Sequence, residues 1–404
     1  KMEVRFDDVD AVTDAVTGAV REALLDGGLV RSTAPRGRSA PAETTVDPES
    51  PTGAAAGGRA SGADRPDDGA ADPGDRGDPA ATAGADAVFH HSVRGVFGGE
   101  FARGLRSRLG DALPSAERIE TAATPAESSE AIDDADVVLT IRPVSDELSA
   151  GTGPDWIQTL NSGVDAYDLD ALADRDIAVT NAAGVAANPI AEQVLGYLLV
   201  FERRIHKGIR QQERDGVWRD YSAGELSGKT LGIVGVGAIG TRVAELASGF
   251  DMDVIGTKRT PETAPAVVDE AYPPGGLSEV LARSDYVVLA CPLVEATRGL
   301  IDAEALMAMR SDAVLVNIAR GEVVDEAALE TALQQKRIRG AALDVFEEEP
   351  LPAESPLWDL PNAVITPHMA GSTPKYADRI GSLFAENYRR YADDDLDDLR
   401  NRVV

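Results

Sequence analysis

The chain has a single cysteine, Cys291, which excludes an intramolecular disulfide and any need for an oxidising compartment. No run of about 18 or more apolar residues occurs, which argues against a helical membrane span. The opening residues, Lys1 to Asp8, lack the basic-then-apolar layout of a secretory signal. Together these absences predict a cytoplasmic protein. Lysine is scarce: only positions 1, 207, 229, 258, 336 and 375 carry it, and the other basic residues are arginine. Positive charge as a whole is outweighed, with 39 basic against 69 acidic residues and a formal net charge of -30. A surface so acidic repels nucleic acid and anionic membranes, so neither is expected as a partner.

Residues 31–85 lack apolar bulk. Val46 is the one larger aliphatic and no aromatic is present. Such a stretch buries too little surface to offset its ordering entropy, so it reads as a disordered linker. Residues 1–30 before it read as a short extension of unassigned role. Val4-Arg5-Phe6 is strand-like, and Val9, Val12, Val16, Val20 and Leu24 follow at helical spacing.

From residue 86 the chain, long enough for two domains, alternates strand and helix. Strands are expected at Ala87–His91, Arg118–Thr121, Asp136–Ile141, Trp156–Leu160 and Ile177–Thr180. This alternation predicts an α/β fold with a parallel sheet covered on both faces. A helix is expected to start at Asn188 as N-cap, with Pro189 in its first turn. Ile190, Val194, Leu198, Phe201 and Ile205 would line its buried side. A second βα series runs from Thr230 to Pro367, and a last helix from about Pro374 to Tyr391.

Four segments carry chemistry. In Leu231-Gly-Ile-Val-Gly-Val-Gly-Ala-Ile-Gly240, a buried strand runs into a G-x-G-x-x-G turn. Ile239, Val243, Leu246 and Phe250 then follow at helical spacing, and Asp253 to Gly256 reads as the next strand. Gly235 suits the tight turn, Gly237 the approach of a pyrophosphate, and Gly240 close helix–strand packing. Where NAD-binding units place a carboxylate to hold the ribose 2′-hydroxyl, this chain has Lys258 and Arg259. Two cations there favour a 2′-phosphate, hence NADP(H), with NAD(H) also possible. The second segment, Val314-Leu-Val-Asn-Ile-Ala-Arg320-Gly321, ends a strand at an Arg-Gly pair. The third, Gly340-Ala-Ala-Leu-Asp344-Val-Phe-Glu-Glu-Glu349-Pro350, and the fourth, Ala363-Val-Ile-Thr-Pro-His368, likewise put ionisable residues past strand ends.

In this order, GVGAIG, VNIARGEVVDE, AALDVFEEEPL, ITPHMAGST and the turn Leu160-Asn-Ser-Gly-Val-Asp165 resemble the D-isomer-specific 2-hydroxyacid dehydrogenases. That family includes D-lactate, glyoxylate/hydroxypyruvate and phosphoglycerate dehydrogenases. The resemblance covers residues 86–404. It implies two Rossmann/flavodoxin-like doubly wound parallel-sheet domains with the active site in the cleft between them. Residues 86–184 plus 371–404 would form the substrate domain, and 185–370 the dinucleotide-binding domain. A homodimer is implied as well, through the helix near Asn188 and the stretch to Ser227, with Trp218 and Tyr221 as anchors. By resemblance Ala238 and Ile239 meet the pyrophosphate, Ala319 and Asp344 lie by the nicotinamide, and Cys291, Pro292 and Gly371 also belong to the cofactor site. No metal is implied.

Residue chemistry agrees with a 2-oxo acid reductase. A guanidinium, Arg320, can grip carboxylate and carbonyl oxygens together. A histidine, His368, can supply the proton, and Glu349 can fix its ring. Backbone amides of Ser162, Gly163 and Val164 can hold the substrate carboxylate. Arg142, on the loop after the third strand, either faces a second anionic group or is a surface cation. Two other readings stay open: an NAD-linked phosphoglycerate or phosphite dehydrogenase, and a non-catalytic nucleotide-sensing corepressor. No regulatory domain follows, which weighs against the first. The acid-rich, lysine-poor composition resembles that of halophilic archaeal proteins, in which salt screens self-repulsion; an acidic mesophile with a GC-rich genome is the other reading.

Overall fold

The computed structural model describes residues 87–112, 119–148, 153–213 and 216–404. They belong to one compact unit, Asp78–Val404. The expected N-terminal extension (1–30) and linker (31–85) lie outside the described residues.

The first five strands are β1 (Ala87–Phe89), β2 (Ile119–Thr121), β3 (Val137–Thr140), β4 (Trp156–Thr159) and β5 (Ala178–Thr180). They form a parallel sheet in the order β2-β1-β3-β4-β5. Every residue of β1, β3, β4 and β5 is buried, as befits strands covered on both faces. Helix α1 (His91–Ala112) follows β1 and α2 (Pro125–Asp134) follows β2. Thr124 caps α2, accepting from the Glu127 amide. The short α3 (Leu169–Ala173) follows β4.

The chain then forms α4 (Ala187–Glu202) and α5 (Ile205–Glu213) before a second sheet. Its strands are β6 (Thr230–Val234), β7 (Asp253–Thr257), β8 (Glu270–Tyr272), β9 (Tyr286–Leu289), β10 (Val314–Asn317), β11 (Gly340–Leu343) and β12 (Ala363–Ile365). All pairings are parallel, in the order β12-β11-β10-β9-β6-β7-β8. Strand order reverses between β6 and β9, and such a switch point opens a crevice at the carboxyl ends. Helices α6 (Ala238–Ser248), α7 (Leu277–Arg283), α8 (Ala303–Ala308) and α9 (Glu326–Gln334) connect the strands.

The last helix, α10 (Tyr376–Ala392), returns to the first sheet. Its Ile380, Phe384 and Tyr388 share a core with Ala87, Phe89, Val137, Leu139 and Trp156. Trp156 stacks on Phe384 with ring centroids 5.2 Å apart, and its indole N–H donates to Thr180 at 2.8 Å. Burying each such aromatic stabilises by about 1.5–3 kcal/mol. The fold is thus two parallel-sheet α/β domains. No described helix is long and apolar enough to cross a membrane.

Three local expectations need correction. The N-cap of α4 is Ala186, not Asn188. Asn188 lies within the first turn, where it donates to Glu192 and accepts from Arg242 Nε at 2.9 Å. Its amide is recruited by side chains of α4 and α6 instead of capping. Ile205 does not continue the buried stripe of α4, because Arg204 at φ 54° breaks the helix; Ile205 begins α5 and is exposed. Phe250 lies past the end of α6 and is exposed, while Ala244 and Ala247 take the buried side with Val243.

Candidate active site

The glycine-rich turn joins β6 to α6 at the switch point. Gly235 has φ 99°, a left-handed value that favours glycine. A Cβ there would also lie 2.7 Å from the Cys291 amide nitrogen, so the turn after β9 presses on it. A Cβ on Gly240 would sit 2.5 Å from the Gly235 carbonyl oxygen, which explains the third glycine. Gly237 is different: nothing lies within 4 Å of its Cβ position. It caps α6, and no side chain bonds the helix's first amides. Open space before uncapped amides suits a pyrophosphate. Ala238 and Ile239 are the first residues of that helix.

Lys258 follows β7 beside this turn. Its Nζ donates to the Val236 carbonyl at 2.8 Å, while Arg259 is exposed. Cys291 is partly buried, and burial pushes its thiol up to about 11, so the neutral thiol prevails. Pro292 beside it is exposed.

Arg320 sits one residue beyond the buried Ala319, on the loop after β10. Two contacts set that loop. Asn317, 1% exposed, donates to the Arg320 carbonyl at 2.9 Å and accepts from the Ala319 amide at 3.1 Å. Gly321 packs so tightly that a Cβ would fall 1.9 Å from the Phe346 carbonyl carbon. The Arg320 guanidinium then reaches the turn after β4. It donates from Nη2 to Asp165 at 3.2 Å and from Nη1 to the Ala319 carbonyl at 2.8 Å. A Cβ on Gly163 would lie 1.9 Å from Nη2. The two domains therefore meet where the fork of Arg320 lies over backbone 162–164. The amides of Ser162, Gly163 and Val164 have no acceptor among the described residues.

Glu349 and His368 stand past β11 and β12. The His368 ring pairs with Glu349, Nδ1 to Oε2, at 2.7 Å. The other Glu349 oxygen accepts from the Phe346 amide at 3.1 Å. Because the carboxylate accepts, Nδ1 carries the proton, and Nε2 has no partner among the described residues. Phe346 thus touches both Gly321 and Glu349, bringing the Arg320 loop and the His–Glu pair to one sheet edge.

The loop carrying His368 is strongly held. His368 itself has φ 48°, unusual for a side chain with a Cβ. Its amide donates to the Asp344 carbonyl at 2.8 Å. The Asp344 carboxylate, 2% exposed, accepts from the Met369 and Ala370 amides at 3.0 and 2.8 Å and from the Thr366 hydroxyl. Tyr197 of α4 in turn bonds Thr366, and burial raises its phenol above the usual range, keeping it a donor. Such contacts are what sustain a left-handed residue costing of order 1–3 kcal/mol. Gly371 closes the loop, its Cβ position 3.4 Å from Ala186.

Four residues with a part in this site went unassigned in the sequence. Asp165 lies within the quoted turn, and its charge opposite Arg320 was the available signal. Asn317 and Thr366 are polar residues at strand ends within the quoted segments. Tyr197 gave no signal beyond its place in the helical pattern.

The model of the D-isomer specific 2-hydroxyacid dehydrogenase NAD binding domain matches residues 195–370. The chain is 35% identical over 283 residues to the D-3-phosphoglycerate dehydrogenase of Methanocaldococcus jannaschii, covering 67% of this chain and 52% of that protein. It thus spans about half of that relative's length. It is 37% identical over 257 residues to the glyoxylate reductase of Thermofilum pendens, covering 62% of this chain and 75% of that protein. A D-isomer specific 2-hydroxyacid dehydrogenase from Xanthobacter autotrophicus, solved with NADPH and MES, superposes with TM-score 0.68 at 30% identity, covering 80% of this chain and 98% of that one. With these likenesses and with the ionisable residues gathered past three adjacent strands, the chain belongs to the D-isomer specific 2-hydroxyacid dehydrogenases.

Proposed function

We propose that this protein is an NADPH-preferring 2-oxo acid reductase, reversibly transferring hydride between NAD(P)H and a 2-oxo acid/D-2-hydroxy acid pair. The observation that carries the reading is the His368–Glu349 pair with Nε2 free, on the same sheet edge as Arg320. A bound nicotinamide supplies the hydride. The chain's own residues do the rest. The Ser162–Val164 amides and the free N–H groups of Arg320 hold the substrate's carboxylate and carbonyl oxygens. Asp165 and the Ala319 carbonyl aim the guanidinium, so less freedom is lost on binding. As the imidazolium, with Nδ1–H held by Glu349, His368 gives its Nε2 proton to the carbonyl oxygen in reduction and is left neutral; the neutral ring takes the proton at Nε2 in oxidation. Glu349 holds the ring through Nδ1 for both directions.

Open space at Gly237 and the uncapped start of α6 fit a dinucleotide. Preference for the phosphorylated form rests on Lys258 and Arg259, which attract a 2′-phosphate where a carboxylate would repel it. The NADPH bound to the Xanthobacter relative is in keeping with this. The decisive assay compares catalytic efficiency with NADPH and NADH over a panel of 2-oxo acids, at high and low potassium chloride. NADPH is expected to be the better donor, and Lys258→Asp with Arg259→Ala to erase or reverse the preference. Equal or better use of NADH by the unaltered chain would refute the cofactor reading. We further assign residues 86–184 with 371–404 to the substrate domain and 185–370 to the cofactor domain. Homodimer formation and a halophilic origin complete the proposal.

A further inference from the structure

We propose that His90, His91 and Glu147 form a binding site for a divalent metal ion of the zinc class. They come from two pieces of chain, the adjacent His90 and His91 and the distant Glu147. His90 follows β1, His91 opens α1, and Glu147 closes the one-turn helix Ser145–Glu147 beyond β3. One donor atom of each lies within 4.8 Å of the others. His90 is 1% exposed, and its Nε2 stands 3.1 Å from both Glu147 oxygens. The two imidazole centroids are 4.1 Å apart. Ligands at about 2 Å around a tetrahedral ion are roughly 3.3 Å from one another, so small side-chain movements would close the set.

The surroundings of the rings support this. Ligating histidines usually have their second nitrogen held by a neighbour. Here His90 Nδ1 lies 2.7 Å from the Ser92 hydroxyl, and His91 Nδ1 lies 3.0 Å from the Ser128 hydroxyl. Without metal, the Ser92 amide donates to His90 Nδ1 at 3.2 Å, leaving the ring proton on Nε2 for Glu147. With metal, that proton moves to Nδ1, where the Ser92 hydroxyl accepts it; the Ser92 amide gives up its bond to Nδ1, and Nε2 turns its lone pair to the ion. No net proton is lost. His91 and Glu147 are only partly buried, so a fourth position is open to water or an anion.

The donor set selects the ion. Mg²⁺ and Ca²⁺ need several oxygen ligands and find one carboxylate here. Zn²⁺ or Co²⁺ gains from two imidazoles and one carboxylate, a set found at open zinc sites.

The test is titration of the chelator-treated full chain with Co²⁺ under excess Mg²⁺, which occupies the acidic surface. Visible ligand-field absorption is followed, and Zn²⁺ is then added as competitor. One Co²⁺ per chain with intense low-coordinate bands, displaced by Zn²⁺, is expected. His91→Ala and Glu147→Gln, both at partly exposed positions, should each weaken binding at least tenfold while leaving the far-ultraviolet circular dichroism unchanged. Bands absent from the unaltered chain, or affinity unchanged in both variants, would overturn the proposal and leave a hydrogen-bonded His–Glu pair beside His91.

Discussion

In the proposed reaction Arg320 and His368 act at different moments, so their loss should read differently. In the proposed mechanism Arg320 binds substrate before and during hydride transfer, so Arg320→Ala is expected to raise KM and lower kcat together. His368→Ala removes the proposed proton donor while leaving the binding groups in place. Its kcat is expected to fall by roughly 10²–10⁴-fold with a smaller change in KM. An unaltered rate in that variant, with hydride transfer shown by deuterium isotope effect to be rate-limiting, would remove His368 from the mechanism. Gly163 offers an independent check on the placing of Arg320. A methyl there would lie 1.9 Å from Nη2, so Gly163→Ala must displace the guanidinium. It should raise KM as Arg320→Ala does, though less, and a wild-type KM would show that the fork does not lie over the turn. At this scale the three ionisable residues were legible because their types suit the chemistry and each follows an apolar run. Asp165 was not, because one carboxylate among 69 acidic residues gains meaning only from the arginine opposite it.

Helix α4 shows how far periodicity reads an element. Ile190, Val194, Leu198 and Phe201 are buried as their spacing indicates. The helix ends, by contrast, were set by tertiary partners: Arg242 takes up the Asn188 amide oxygen, and the buried Glu202 pairs with Arg339 at 3.1 Å. Beyond it, α5 and the following segment expose Ile205, Ile209, Val217, Tyr221 and Trp218, the last 97% accessible. So much exposed apolar surface in one stretch is characteristic of an interaction face, and a two-fold dimer is the commonest closure. Light scattering is expected to show a dimer at assay concentration. Trp218→Ala should raise its dissociation constant at least tenfold, as loss of a central aromatic anchor does. A monomer in the unaltered protein would dismiss the dimer.

At the scale of the whole molecule, charge dominates. A formal net charge of -30 repels itself across the surface. At about 0.1 M salt the Debye length is roughly 10 Å and repulsion persists, whereas at 1 M it is about 3 Å. The thermal midpoint is therefore expected to rise markedly in molar potassium chloride, and a midpoint constant across that range would argue against a halophilic origin. Composition alone determined this property, because net charge does not depend on where the residues fold. The sequence also determined the βα alternation, since strand and helix periods are local, and it marked the glycine turn, whose function resides in a contiguous backbone. What only the tertiary structure decided is proximity. The order of the twelve described strands, the laying of Arg320 over Gly163, the chain from Tyr197 through Thr366 to Asp344, and the meeting of Glu147 with the His90–His91 pair all join residues distant in the chain. Such contacts arise from packing two-sided sheets under helices, a global condition that no local pattern encodes.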